Sequence, residues 1–166
     1  YVKEGEMAES RQLNFDFGNE ASIPYILISL KEQWHQKILS GDKRFEYRRQ
    51  FIRTSAHVFI YVSGFVRGIC AYAEFGAPTI GSVDKIISIY KSEGMRNTEG
   101  LFNYFRNRNE CFAIPIKEYQ EIPKISLDEL RQKFNSFTVP QSYLYLDKKP
   151  GLLNYLLEKK SQLNRD

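Results

Sequence analysis

Two apolar runs, His57 to Ser63 (HVFIYVS) and Ile69 to Phe75 (ICAYAEF), constrain the fold most, because both alternate sets of side chains in them are substantially apolar or aromatic. Successive side chains of a strand point to opposite faces, so runs of this kind need cover on both sides. They are joined by a turn around Gly64 and Gly68. A flat sheet with one wet face leaves half of these residues in water. A sheet curled on itself does not, since closure buries its inner face and helices cover part of its outer one. The expected class is α+β: a small, closed or partly open β-barrel of about five to six strands with helices packed around it.

The remaining pattern supplies the other elements. Tyr25 to Leu30 (YILISL), behind Pro24, is a β-rich strand candidate. Ser29 and Glu32 stand in the S-x-x-E capping relation, Leu30, Trp34 and Ile38 recur at helical spacing, and Gly41 is a plausible stop. This predicts a helix of about ten residues followed by a tight turn. Lys43 to Arg49 (KRFEYRR) reads as extended. Ser82 is placed to cap a helix carrying Val83, Ile86, Ile87 and Tyr90, and Leu101, Phe102 and Phe105 suggest a second short one. Glu110 to Ile116 returns as a strand, with Pro115 implying an edge or a bulge. Ser126 and Glu129 form another capping box, Tyr143 to Leu146 a last strand, and Pro150 to Leu163 a terminal helix with Leu153, Leu156, Leu157 and Lys160 on one side. The expected organisation is a charged tail or linker over residues 1–22, one domain over 23–147, and a helical extension over 148–166.

At 166 residues the chain suits one domain, and 42% hydrophobic residues suit a folded one. Residues 1–20 hold five acids against two bases, so that of the whole chain's +4 the remainder carries +7, which favours an anionic partner. No apolar run is long enough to cross a bilayer and nothing resembles an export signal, so a cytoplasmic protein is expected, with no membrane partner. Cys70 and Cys111 are read as reduced, buried thiols. His35 and His57 have no third ligand at metal spacing, and no metal or cofactor is expected. Neither a G-x-x-x-x-G-K-[ST] loop nor a G-x-G-x-x-G turn is present, which argues against nucleotide-hydrolysing and dinucleotide-dependent enzymes.

The chemistry concentrates in Gly41-Asp42-Lys43-Arg44-Phe45-Glu46-Tyr47-Arg48. Gly41 can take the positive φ that ends a helix and opens a sharp turn, bringing Lys43 up at its exit. On the following strand Arg44, Glu46 and Arg48 share one face and Phe45 and Tyr47 the other, placing one carboxylate between two guanidinium groups. Such a carboxylate favours its ionised form and holds an arginine fork ready for phosphate, carboxylate or a base edge. A solvated strand with an exposed ion pair, worth at most about 1 kcal/mol, accounts for the same residues. From Lys43 to Arg53 there are five basic residues and one acid, interleaved with Phe45, Tyr47 and Phe51, which read as core or as a stacking surface.

This octapeptide matches G-x-K-x-x-E-x-R, and in its order of strand, helix, glycine turn and strand the chain resembles the ASCH domain family. The resemblance runs from Pro24 to Leu146 and takes in Val139-Pro140-Gln141-Ser142 ahead of the last strand. It implies a PUA-like barrel, related to RNA-binding barrels, with the motif residues lining a cleft beneath the first helix. Lys43, Arg44, Glu46 and Arg48 are then the ligand-binding candidates, joined from strand ends by Tyr61, Ser63, Gln141 and Ser142.

Three functions are carried forward. The first is an RNA- or nucleotide-binding module in RNA metabolism or in the regulation of transcription or translation. The second is a small hydrolase acting on RNA or a modified nucleoside, with Glu46 as general base, Lys43 stabilising the oxyanion and Glu74 as proton partner. Amidohydrolase-like members of the family use a threonine three positions after the motif lysine as nucleophile; Glu46 stands there instead, and a carboxylate suits base catalysis better than attack on an amide. The third is a protein-interaction domain of a larger regulatory protein, using the helices between Ser82 and Arg108 and the terminal helix against a partner or a second copy.

Overall fold

The structure, a computed structural model, describes residues 22–165. The tail expected over residues 1–22 lies, but for its last residue, outside the described residues. The chain runs β1 (Tyr25–Lys31), α1 (Glu32–Leu39), β2 (Phe45–Arg48), β3 (Ala56–Ser63), β4 (Gly68–Phe75), β5 (Thr79–Gly81), α2 (Val83–Ser92), α3 (Thr98–Tyr104), β6 (Cys111–Ser126), α4 (Leu127–Lys133), β7 (Tyr143–Tyr145) and α5 (Pro150–Ser161). One mixed sheet of seven strands holds them, in the order β2-β6-β4-β3-β1-β7 with β5 also on β6. β1 and β3 are parallel, and the other pairs are antiparallel. The sheet curls into a half-barrel.

The curl is built into β6. Its first residues pair with β2 and β5, and from Ile116 onward it pairs with β4, so one strand turns the sheet back on itself. Pro115 lies where the partner changes, and its carbonyl accepts the Gly76 amide at 2.8 Å. A residue without an N–H fits at such a break in the ladder. Pro115 itself pairs in register with Phe45, and the ladder with β4 is irregular just beyond it, where Phe75 faces Ile116 and Glu74 faces Glu118.

Alternation along β1 and β3 fills two separate cores. Ile26, Ile28, Leu30, Val58, Ile60 and Val62 pack inward with Ile38 of α1 and with Phe51 and Phe75. Leu27, Phe59 and Tyr61 pack outward under Leu127 and Leu130 of α4 and Leu152 and Leu156 of α5. A third cluster joins Tyr47, Phe105, Cys111 and Ala113 to Ile86 of α2. Burying a side chain of this size is worth about 1.5–3 kcal/mol, so β3 and β4, apolar on both faces, are stabilised from both sides.

Two local expectations change. Ser29 does not cap α1. It lies within β1, opposite Tyr61, and its hydroxyl donates to the Pro140 carbonyl at 2.7 Å. Pairing with β3 carries β1 on to Lys31, so α1 starts at Glu32 without a side-chain cap and has eight residues. The caps at Ser82 and Ser126 do form, each accepting an amide three residues on. On α5 the fully buried leucines are Leu152 and Leu156, with Leu153 and Leu157 half-buried beside them. Among the described residues no helix is long and apolar enough to cross a membrane.

Candidate functional site

The site begins at the end of α1. Gly41 has φ +84°, and its amide donates to the Ile38 carbonyl at 3.1 Å. The Lys43 amide then reaches back to the Lys37 carbonyl at 3.0 Å, which folds Lys43 under the helix. A Cβ at Gly41 would meet nothing within 4 Å, so the cost of a side chain there is purely conformational. Gly41→Ala is accordingly expected to lower stability by about 1–2 kcal/mol, as read from a urea-unfolding midpoint.

Lys43 is 6% exposed. Its Nζ lies 5.2 Å from the Trp34 ring centroid, 5.1 Å from that of Tyr47, and 3.6 Å from Glu46 Oε1. Burial pulls its pKa below the usual lysine range, and attraction to Glu46 works against that. Glu46, also 6% exposed, accepts the Tyr47 amide through Oε1 at 3.0 Å. Its Oε2 lies 3.7 Å from Arg48 Nη2, which donates to the Ser29 carbonyl at 3.1 Å. Two buried polar atoms have no hydrogen-bond partner among the described residues: Glu46 Oε2 and the Tyr47 hydroxyl. Burial raises the Tyr47 hydroxyl well above the ordinary tyrosine range, so it stays a donor.

These residues form one wall of a cleft of about 460 Å³. Ser29, Lys31 and Trp34 extend that wall, and Tyr90, Met95, Asn97, Leu101 and Tyr104 from α2, α3 and their connection face it. The helices between Ser82 and Arg108, which a minimal barrel does not require, therefore complete the cleft.

Of the residues singled out in the sequence, Lys43, Glu46 and Arg48 come together. Arg44 does not: it is 68% exposed and pairs with Glu93 at 2.8 Å. It precedes β2, where strand alternation does not yet hold its side chain, so Glu46 lies between Lys43 and Arg48 and not between two arginines. Tyr61 is buried in the outward-facing core. Ser63, at the end of β3, donates to the Leu30 carbonyl at 3.3 Å and does not line the cleft. Gln141 and Ser142 are exposed and outside it, although neighbouring Pro140 holds Ser29 at its rim. Glu74 is also elsewhere. It pairs with His57 at 2.8 Å and accepts from the Tyr72 hydroxyl, on the outward face, and so is no proton partner for Glu46.

Trp34, Tyr90, Asn97 and Tyr104 are among the cleft residues that sequence reasoning missed. Trp34 followed the core spacing of α1, and the others become neighbours only through tertiary packing. His35 is buried, with Nδ1 2.6 Å from the Tyr119 hydroxyl; burial lowers its pKa and keeps it neutral. Cys111 is buried and Cys70 half-buried, both as free thiols.

No protein-family model matches the chain. It is 30% identical over 124 residues, 74% of its own length and 84% of the relative's, to a protein named ASCH domain-containing ribonuclease from Zymomonas mobilis. The crystal structure of ASCH from Zymomonas mobilis superposes with a TM-score of 0.68 at 27% identity, covering 79% of this chain and 94% of that one. A serine-to-alanine mutant of the Zymomonas protein gives the same TM-score at 26% identity, over 80% and 99% of the two chains.

Proposed function

The chain belongs to the ASCH domain family, and on that premise we propose that it binds RNA, seating one unstacked nucleotide in the cleft between β2 and the α2–α3 pair. The observation that carries this reading is the pair of cations, Lys43 and Arg48, flanking a buried carboxylate with one oxygen that lacks a hydrogen-bond partner among the described residues. Lys43 and Arg48 supply donors for a phosphate, Glu46 Oε2 accepts from an exocyclic amino group of the base, and the Tyr47 hydroxyl donates to it. Trp34, Tyr90 and Tyr104 offer ring faces for stacking, which favours a single strand, whose bases are free to splay out. A cleft of about 460 Å³ also lies within the range of sites that enclose small ligands.

Fluorescence anisotropy with short labelled RNAs tests this. Arg48→Ala is expected to weaken binding about tenfold and to reduce the slope of log affinity against log salt by about 0.7, the value for one lost contact to a single strand. Affinity should also fall as pH rises towards a point below the usual lysine range, where Lys43 loses its charge. An unchanged affinity and slope in Arg48→Ala would remove the cleft as the binding site.

A second reading, cleavage of RNA, is favoured by the name of the Zymomonas relative. Glu46 would take the proton of a ribose 2′-hydroxyl as that oxygen attacks the adjacent phosphorus. The 5′-oxygen would leave with a proton from water, giving a 2′,3′-cyclic phosphate, with Lys43 and Arg48 holding the phosphoryl oxygens. Glu46→Gln, shown by circular dichroism to be folded, is expected to cleave labelled RNA about a hundredfold more slowly. Cleavage at the wild-type rate would remove Glu46 as the base.

A further inference from the structure

The cleft does not end at Tyr104. That side chain is 41% exposed, and while its ring lines the cleft, the guanidinium carbon of Arg49 lies 5.3 Å from the ring centroid. Arg49 in turn lines a second groove of about 550 Å³. Arg49 directly follows Arg48, the last residue of β2, and Arg48 lines the cleft while Arg49 lines the groove.

The groove is cationic and rich in donors. Arg49, Arg53 and Arg108 line it with Asn107 and Asn109, and Glu110 is the single acid on its walls. Glu110 is bound to Arg53 at 2.6 Å, whereas Arg49 and Arg108 have no acidic partner among the described residues. Asn107, with φ +63°, turns the chain after α3 into this wall. Two exposed, uncompensated guanidinium groups beside side-chain amides suit phosphates and ribose hydroxyls, which carry negative charge at every step of a strand.

We propose that this groove is a second RNA subsite, which holds the nucleotides flanking the one seated in the cleft, with Tyr104 as the stacking platform between the two. This rests on the RNA reading above and extends it from one nucleotide to a strand several nucleotides long. Arg49 and Arg108 contact phosphates. Arg53 is held back by Glu110.

The test compares a uridine dinucleotide with an oligouridylate octamer by fluorescence anisotropy, the integrity of the RNA being checked on a gel after each titration. Wild-type protein is expected to bind the octamer at least tenfold more tightly than the dinucleotide. The double variant Arg49→Ala/Arg108→Ala should lose most of that gain, lose less affinity for the dinucleotide, which reaches only the near end of the groove, than for the octamer, and show an octamer salt slope lower by about 1.4, as for two lost phosphate contacts. Both arginines are exposed, so folding is not at stake. Glu110→Gln, which releases Arg53, should tighten octamer binding. If the wild type gains nothing from the longer RNA, or the double variant keeps the gain, the groove is not a subsite and the cleft reading stands. If neither RNA binds, both fall together.

Discussion

Glu46→Gln is expected to lower stability by about 3 kcal/mol near neutral pH and to recover part of that loss as pH rises. Removing one member of a buried ion pair leaves the other charge desolvated without compensation, which costs about 3–5 kcal/mol. Here two cations are left behind, Lys43 at 6% exposure and Arg48 beside it. Arg48 keeps its bond to the Ser29 carbonyl and cannot shed its charge, whereas Lys43 can. Its pKa already lies below the usual lysine value through burial, and the attraction that opposes this comes from Glu46. Without Glu46 it falls further. With the folded pKa below the unfolded one, the unfolded chain binds more protons between the two values, so stability rises with pH across that window and levels off at the ordinary lysine range. Urea-unfolding midpoints of wild type and variant at neutral and alkaline pH decide the matter. A stability difference that does not shrink with pH would mean that Lys43 is not the charge left stranded.

The elements that could be read from sequence are those whose burial is set by their own periodicity. Short β-rich apolar runs marked β1, β3 and β4, the spacing of Val83, Ile86 and Tyr90 marked α2, and Gly41 marked the turn that delivers Lys43. What could not be read depends on partners distant in the chain. β6 continues through Lys117 to Lys124, a charged and largely exposed stretch with little apolar signal, because β4 supplies its backbone partners. β5 is too short to carry a pattern and exists by pairing with Cys111 to Ala113. The same division runs through the site. Lys43, Glu46 and Arg48 lie within six residues of one another, so local geometry brings them together. Tyr90, Asn97 and Tyr104 reach the cleft only because α2 and α3 pack over β2 and β6, and Arg44 leaves it because Glu93 is there to meet it. The local pattern thus names the residues that line the cleft from β2 and the turn before it, and tertiary packing chooses those that face them.

The second large effect is expected at the other side of the sheet. Leu152→Ala and Leu156→Ala should each cost about 3 kcal/mol, and together about 5 kcal/mol, in a single cooperative unfolding transition. The two leucines lie one helical turn apart on α5, at 5% and 0% exposure, in the cluster that also holds Phe59, Tyr72 and Ile125. Pro150 starts the helix where a missing N–H costs nothing. Lys160 then lies 3.8 Å from the Tyr72 ring centroid, and the Tyr155 hydroxyl donates to Glu129 of α4 at 2.6 Å. Because the two leucines share neighbours, the double variant should fall short of the sum of the single ones. Loss of the α5 contacts exposes the outward face of β3 and β4, whose inward face carries the core beneath α1. Amide exchange across both strands should therefore quicken in the double variant, while RNA affinity per folded molecule stays at the wild-type value, since neither leucine lines the cleft. A double variant within about 1 kcal/mol of wild type, with exchange in β3 and β4 unaltered, would instead make α5 an appendage that the half-barrel does without.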